Sequence, residues 1–190
     1  MTLIGYSIDG PDNDSHMCSS CDKVFEGMVG LRVCSKCGYR TDFGYTNPDY
    51  RLTRKDYDFS ATYDGATIVS LRFAEFCRRH LYRNLIFRPL PKTPHFFHLL
   101  CTKIVRFDAR KRSTRFEAFC SQCGFYESVT GAHPAFLQRK TPLPDGFFRS
   151  DLLFASGNEK SPIIFVGAAT LDKLKREHFK GLEWKEVCAS

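Results

Sequence analysis

No apolar run in this sequence approaches the ~20 residues that a membrane-spanning helix needs, so a chain that crosses the bilayer by helices is excluded. The opening Met-Thr-Leu-Ile-Gly-Tyr-Ser-Ile-Asp-Gly lacks the basic start and long apolar segment of a secretory signal. A cytoplasmic location is therefore expected, where thiols stay reduced. No polybasic tract is dense enough to be a nucleic-acid arm. Arg110-Lys111-Arg112 is the strongest run, and it reads as a solvated hairpin tip. Catalytic signatures are missing too: there is no nucleophile elbow, phosphate loop, H-E-x-x-H or paired-carboxylate pattern. An enzyme is not expected.

What the chain does have is enough apolar material for a core. Hydrophobic residues make up 43% and aromatics 14% of its 190 positions, with 18 Phe, which argues against disorder. The net charge of +7 and pI of about 9.0 permit an acidic partner. They do not choose between nucleic acid, an acidic protein and an anionic surface.

Cysteine carries the sharpest signal. Nine cysteines are present, an odd count that suits metal binding better than a disulfide framework. Six fall in C-x-x-C pairs: Cys18/Cys21, Cys34/Cys37 followed by Gly38, and Cys120/Cys123 followed by Gly124. Each pair can place two thiolates on one side of a tight turn, and the glycine suits the positive φ that ends such a knuckle. The first two pairs flank a short hairpin, Lys23–Phe25 and Leu31–Val33, so a local zinc ribbon at Cys18, Cys21, Cys34 and Cys37 is the leading expectation. Four thiolates leave no open coordination position, so the zinc would be structural. Cys120 and Cys123 could instead replace the first pair and join Cys34 and Cys37 over long range. They could also form a second site with Cys101 and a histidine, or be a relic. A thioredoxin-like role is disfavoured, since none of the pairs opens a helix after a buried strand.

In chain order, Leu3–Ile8 is strand-like, the ribbon follows, and Tyr39–Tyr57 reads as an irregular connector. Then come a strand at Asp58–Thr62, a turn at Tyr63-Asp64-Gly65, a strand at Ala66–Val69, a helix over Leu71–Arg83 closed by Asn84, and a strand at Leu85–Phe87. Phe96–Phe107 and Ser113–Phe119 predict a long central antiparallel hairpin. His133–Phe148, with Pro134, Pro142 and Pro144, predicts an irregular linker. The last forty residues repeat the earlier order: strand Leu152–Ala155, turn, strand Pro162–Val166, helix Ala169–Lys180, Gly181, strand Leu182–Val187. The expected fold is α+β: a duplicated CxxCG–β–β–α–β unit with an N-terminal zinc-ribbon hairpin and the central hairpin. It divides into residues 1–92 and 93–190, packed as one globular unit.

Other candidates read as structural. His95 and His98, three apart in a strand, would point to opposite faces. His80 and His178 are expected at equivalent, partly buried helix positions, Cys77 in the core and Cys188 in the tail. His16 is a weak extra ligand. Phe136, Phe147 and Phe148 should mostly be buried, and any left exposed would anchor a protein interface with Arg and Lys at its rim.

The two C-x-x-C-G pairs, the long hairpin expected between them and the C-terminal Ile-Ile-Phe-Val-Gly…helix…Gly-Leu-Glu-Trp-Lys-Glu-Val resemble the bacterial double-CXXCG proteins, which include immunity proteins of toxin systems. The resemblance covers mainly Cys34–Gly38 and Cys120–Val187, and the additional Cys18/Cys21 pair departs from it. It implies a cytosolic, non-catalytic protein that binds and neutralises a cognate toxin, with a metal site at Cys34, Cys37, Cys120 and Cys123 or at a local ribbon. The competing reading is a nucleic-acid-binding zinc ribbon using Lys23, Arg32, Lys36 and Arg40 with Tyr39 or Phe25 stacking on bases. A continuous basic face through the ribbon would favour nucleic acid, and an apolar patch with a basic rim would favour protein.

Overall fold

The computed structural model describes residues 2–20, 23–25 and 28–190. It is α+β and mostly sheet. The strands are β1 (Leu3–Asp9), β2 (Ser19–Ser20), β3 (Lys23–Val24), β4 (Phe59–Ala61), β5 (Thr67–Ser70), β6 (Leu85–Pro89), β7 (Phe96–Cys101), β8 (Ile104–Val105), β9 (Arg115–Phe119), β10 (Tyr126–Thr130), β11 (Ala135–Leu137), β12 (Phe147–Ser156), β13 (Ser161–Val166) and β14 (Glu183–Ala189). Among the described residues the helices are α1 (Leu71–Arg79), α2 (Ala109–Arg112) and α3 (Ala168–Glu177), none long and apolar enough to cross a membrane.

Two main sheets form. One runs β4-β5-β7-β6; the other runs β11-β14-β1-β13-β12-β10-β9, with β8 paired to β12. The first strand of the chain therefore lies inside the sheet built mainly by the C-terminal half. β1 is antiparallel to both β13 and β14, just as β7 is antiparallel to both β5 and β6. The registers match. Val69 pairs with Phe97, which pairs with Pro89, and Val166 pairs with Tyr6, which pairs with Glu186. One shift of 97 positions carries Val69 to Val166 and Pro89 to Glu186.

Both crossover helices follow from local sequence. Ser70 caps α1 by accepting from the Phe73 N–H at 3.3 Å, and Arg78 and Arg79 sit in its last turn, where the helix dipole favours cations. Its apolar stripe, Phe73, Ala74, Phe76 and Cys77, is buried. In α3 the cap is Gly167, where a Cβ would strike the Pro144 and Leu143 carbonyls, and Leu171 and Leu174 face inward. Each helix stops earlier than its periodicity suggests. Leu81 (φ 58°) and His178 (φ 51°) turn left-handed and are the true equivalents under the 97-residue shift. His80 and His178 are both exposed, unlike the partly buried pair expected.

The main core lies where α1, α3 and both sheets meet, with Phe73 against Phe179 (5.0 Å between ring centroids), Phe59 (5.3 Å) and Phe147 (6.2 Å). Successive residues of β12 and β13 feed different cores. Phe147 and Val166 join this one, whereas Phe148 and Phe165 join a second with Ile4, Phe107, Leu137 and Val187. Burial on both faces explains the unbroken apolar runs of these strands. A third cluster, Met17, Cys18, Tyr45, Tyr50, Leu52, Ile68 and Leu90, holds the irregular connector against β5.

Two expectations fail. The long central hairpin does not form: β7 pairs with β5 and β6, β8 with β12, and β9 with β10. The turn expected at its tip is α2, capped by the Asp108 carboxylate accepting from the Lys111 N–H at 2.8 Å. Nor is His133–Phe148 wholly irregular, because β11 pairs in parallel with β14. Phe136, Phe147 and Phe148 are buried, as their cost in water requires.

Candidate metal centre

The second and third cysteine pairs fold as the same knuckle. The Cys34 N–H donates to the Tyr39 carbonyl and the Gly38 N–H to the Cys34 carbonyl, both at 2.9 Å. At the other pair, Cys120 N–H donates to Phe125 (2.8 Å) and Gly124 N–H to Cys120 (2.9 Å). Gly38 and Gly124 both have φ of 74°, the conformation that favours glycine and turns the chain back. Val33 bridges to Arg40 as Phe119 pairs with Tyr126, so the flanks correspond as well.

The two knuckles face each other. Cys34 Sγ lies 3.9 Å from Cys120 Sγ, Cys37 Sγ lies 3.8 Å from Cys123 Sγ, and all four sulfurs fall within 4.8 Å of one another. Tetrahedral coordination with Zn–S bonds of ~2.3 Å requires S···S separations of about 3.8 Å. A disulfide would need ~2.05 Å. The donor set therefore fits one tetrathiolate-bound ion and could hold it. The contact is reciprocal: Lys36 Nζ donates to Ser121 Oγ at 3.0 Å, and Gln122 Nε2 donates to Ser35 Oγ at 2.8 Å.

Electrostatics prepare the thiols. The Cys120 thiol is pulled down to about 6, chiefly by the Cys123 N–H and then by that of Gln122. Cys34 is lowered in the same way by the Cys37 and Lys36 N–H groups. At Cys37 the Tyr39 N–H acts to lower the value, but burial and the three neighbouring sulfurs push it up to about 11. Without a cation the cluster resists full ionisation, because like charges would share one small space.

Two buried cations border the cluster. Lys160, 2% exposed, donates to the Tyr126 carbonyl, and its Nζ lies 5.5 Å from the Tyr39 ring centroid and 6.0 Å from that of Phe125. Tyr39 and Phe125 are the residues that follow the two knuckle glycines. Arg40, 3% exposed, lines the same cavity of about 210 Å³ as Lys160, Cys37, Cys120 and Cys123. The β12–β13 turn is fastened here too, with Asn158 Oδ1 accepting from the Arg40 N–H at 3.0 Å. Sequence reading missed Lys160 and Asn158 because Gly157-Asn158-Glu159-Lys160 looks like an ordinary solvated turn.

The remaining candidates lie elsewhere. Cys18 is 1% exposed in the third apolar cluster, where its Sγ accepts from Arg40 Nη1 at 3.4 Å and burial pushes its thiol up to about 11. It is not part of the four-sulfur group. Cys21 lies outside the described residues. Cys101 is buried 3.6 Å from Asn84 Nδ2, and Cys77 is in the main core. Cys188 sits on β14 opposite Leu3, and the His16 ring packs on Tyr63 at 5.1 Å. His98 is buried with Nδ1 2.8 Å from Thr46 Oγ1, and His95 precedes the strand with φ 70°.

No family model, curated protein or solved structure matches the chain.

Proposed function

We propose that this chain is a non-catalytic protein-binding module held together by one structural zinc ion at Cys34, Cys37, Cys120 and Cys123. The observation that carries the reading is the set of S···S distances, 3.8 and 3.9 Å, between knuckles far apart in sequence. Four sulfur ligands close the coordination sphere, so the ion cross-links and does not activate water. The equal registers around β1 and β7, together with the matched knuckles, support descent from a duplicated CxxCG–β–β–α–β unit.

The partner we favour is a protein, in the manner of an immunity protein that neutralises a cognate toxin in the reducing cytoplasm. Beside the knuckles lie Val33 (41% exposed), Phe116 (37%) and Phe119 (58%). Arg115 flanks Phe116, and Lys36 lines the same cavity as Phe119. Every residue of β9, an edge strand, is exposed. Ala118, with φ of 49°, turns the strand so that Phe116 and Phe119 both pack on Tyr126, each at 5.0 Å. An apolar patch with a basic rim is how a protein-binding hot spot is built.

Affinity purification from the native host at moderate salt, with and without nuclease, tests this reading. One stoichiometric protein that survives nuclease, and is lost from a Phe116→Ser/Phe119→Ser variant of unchanged metal content, is the expected result. Recovery of nucleic acid that salt releases would favour the zinc-ribbon nucleic-acid reading instead, since phosphate contacts weaken steeply with salt.

A further inference from the structure

From the placement of Lys160, and resting on the metal-centre reading above, we infer that its ammonium is the specificity-determining charge of the four-cysteine centre, selecting a divalent ion and holding the site in its dianionic state. A divalent ion with four thiolates carries a charge of −2, and a trivalent one carries −1. A cation fixed beside the sulfurs stabilises the first more than the second.

The side chain is built for that task. It is 2% exposed, a rare state for lysine unless an anion repays the desolvation. Among the described residues its ammonium has no carboxylate ion pair; its one hydrogen bond goes to the Tyr126 carbonyl. Glu127, whose charge acts on Lys160 after those of Cys123 and Cys37, is exposed and accepts from the Tyr39 hydroxyl at 2.9 Å. The ammonium lies over both Tyr39 and Phe125, the residues that follow the two knuckles, and shares a cavity with Cys37, Cys120 and Cys123. Burial lowers its basicity, and the charges of Cys123 and Cys37 act in the opposite direction. Arg40 commits its two terminal nitrogens to Cys18 Sγ and the Asp64 carbonyl, and among the described residues its buried Nε has no partner. Lys36 carries the same formal charge but is exposed, where water screens it.

Iron provides the readout, because it visits both oxidation states at one site. Reduction adds one electron and no proton, converting Fe³⁺ with four thiolates (−1) to Fe²⁺ with four thiolates (−2). The experiment compares wild type, Lys160→Met, Lys160→Arg and Lys140→Met, each reconstituted with iron for potentiometry and with cobalt(II) for chelator competition at fixed pH. Lys160→Met should bind cobalt(II) at least tenfold more weakly. It should also shift the Fe³⁺/Fe²⁺ ratio at a given potential at least tenfold toward Fe³⁺, a fall of about 59 mV. Lys160→Arg should restore both values, and Lys140→Met, at an exposed lysine that takes no part in the centre, should leave both unchanged. A merely structural role for Lys160 would not move the potential in a charge-dependent way. Equal potentials for Lys160→Met and wild type would overturn the inference while leaving the metal centre intact. A wild-type protein that takes up neither metal would overturn the metal reading itself.

Discussion

Replacing Cys120 by Ser separates the long-range metal centre from the local ribbon. A serine hydroxyl does not ionise near neutral pH, so one of four ligands is lost and the ion with it. Without the ion, the side-chain bonds between the knuckles and their flanks are the exposed ones from Lys36 to Ser121, Gln122 to Ser35 and Tyr39 to Glu127, each worth about 1 kcal/mol or less. The stability an ion confers on a folded site that the unfolded chain lacks is RT ln(1 + [M]/Kd). This is ~4 kcal/mol when free metal is a thousand times Kd. For a chain of this size each kcal/mol moves Tm by ~2–4 °C, so the loss should appear as a fall of about 8–16 °C. Differential scanning calorimetry with and without chelator makes the comparison. Wild type should drop by that amount on chelation, and Cys120→Ser should start at the lower value and not respond. Cys18→Ser should still hold one ion and respond like wild type, although it also loses a buried contact to Arg40. The reverse pattern, with Cys120→Ser holding metal and Cys18→Ser losing it, would refute the reasoning and place the ion in the ribbon.

Three further outcomes follow from particular contacts. His98 is buried, and desolvation drives its value down to about 3 from 6.5, so it stays neutral in the fold while the unfolded chain takes up a proton. Stability should therefore fall on acidification between those values, by about 1.4 kcal/mol per pH unit inside the window. Urea titrations of a His98→Asn variant should show a flatter pH dependence; an unchanged slope would reassign the proton uptake. At Asp145 burial raises the carboxyl, but bonds from Lys173, Thr170 and Tyr82 outweigh it and hold the group below 3.8. That contribution is complete above 3.8 and disappears as pH falls through the folded value, so in urea titrations Lys173→Met should be less stable than wild type at pH 7 and converge with it in the lowest pH range; a deficit that persists undiminished in acid would contradict the assignment. Gly181 has φ of 82°, and a Cβ there would strike the Phe59 carbonyl. Gly181→Ala should cost about 3 kcal/mol in chemical denaturation, from left-handed strain and overpacking together, and a cost under ~0.5 kcal/mol would contradict that close approach.

Much of the local structure was legible because it is set by neighbours in sequence. The knuckles at Cys34–Gly38 and Cys120–Gly124 need only two cysteines and a glycine, and α1 and α3 announce themselves by apolar spacing. The matched lengths around Ile68 and Phe165 showed the repeated strand–helix–strand order. What was not legible is pairing across long distances. Nothing in Leu3–Asp9 says that it will insert between β13 and β14, since alternation marks a strand but not its neighbours. The ribbon at Cys18 was attractive because twelve intervening residues suffice to close a hairpin. The fold instead places Cys18 among Met17, Tyr45 and Leu52 and brings Cys120 against Cys34 from 86 residues away. The central hairpin failed for the same reason: Phe96–Cys101 has a better-buried place between β5 and β6 than beside β9. Lys160 was hidden because a charged turn residue looks alike whether it faces water or is buried beside the knuckles.

The central claim is that one ion joins the two knuckles through four sulfurs. X-ray absorption at the metal edge of protein purified under reducing conditions, with metal content measured on the same sample, addresses it most directly. One zinc per chain, four sulfur neighbours at ~2.3 Å and no nitrogen or oxygen in the first coordination sphere is the predicted result. A mixed sphere with two or three sulfurs, or a folded protein that contains no stoichiometric metal, would contradict it.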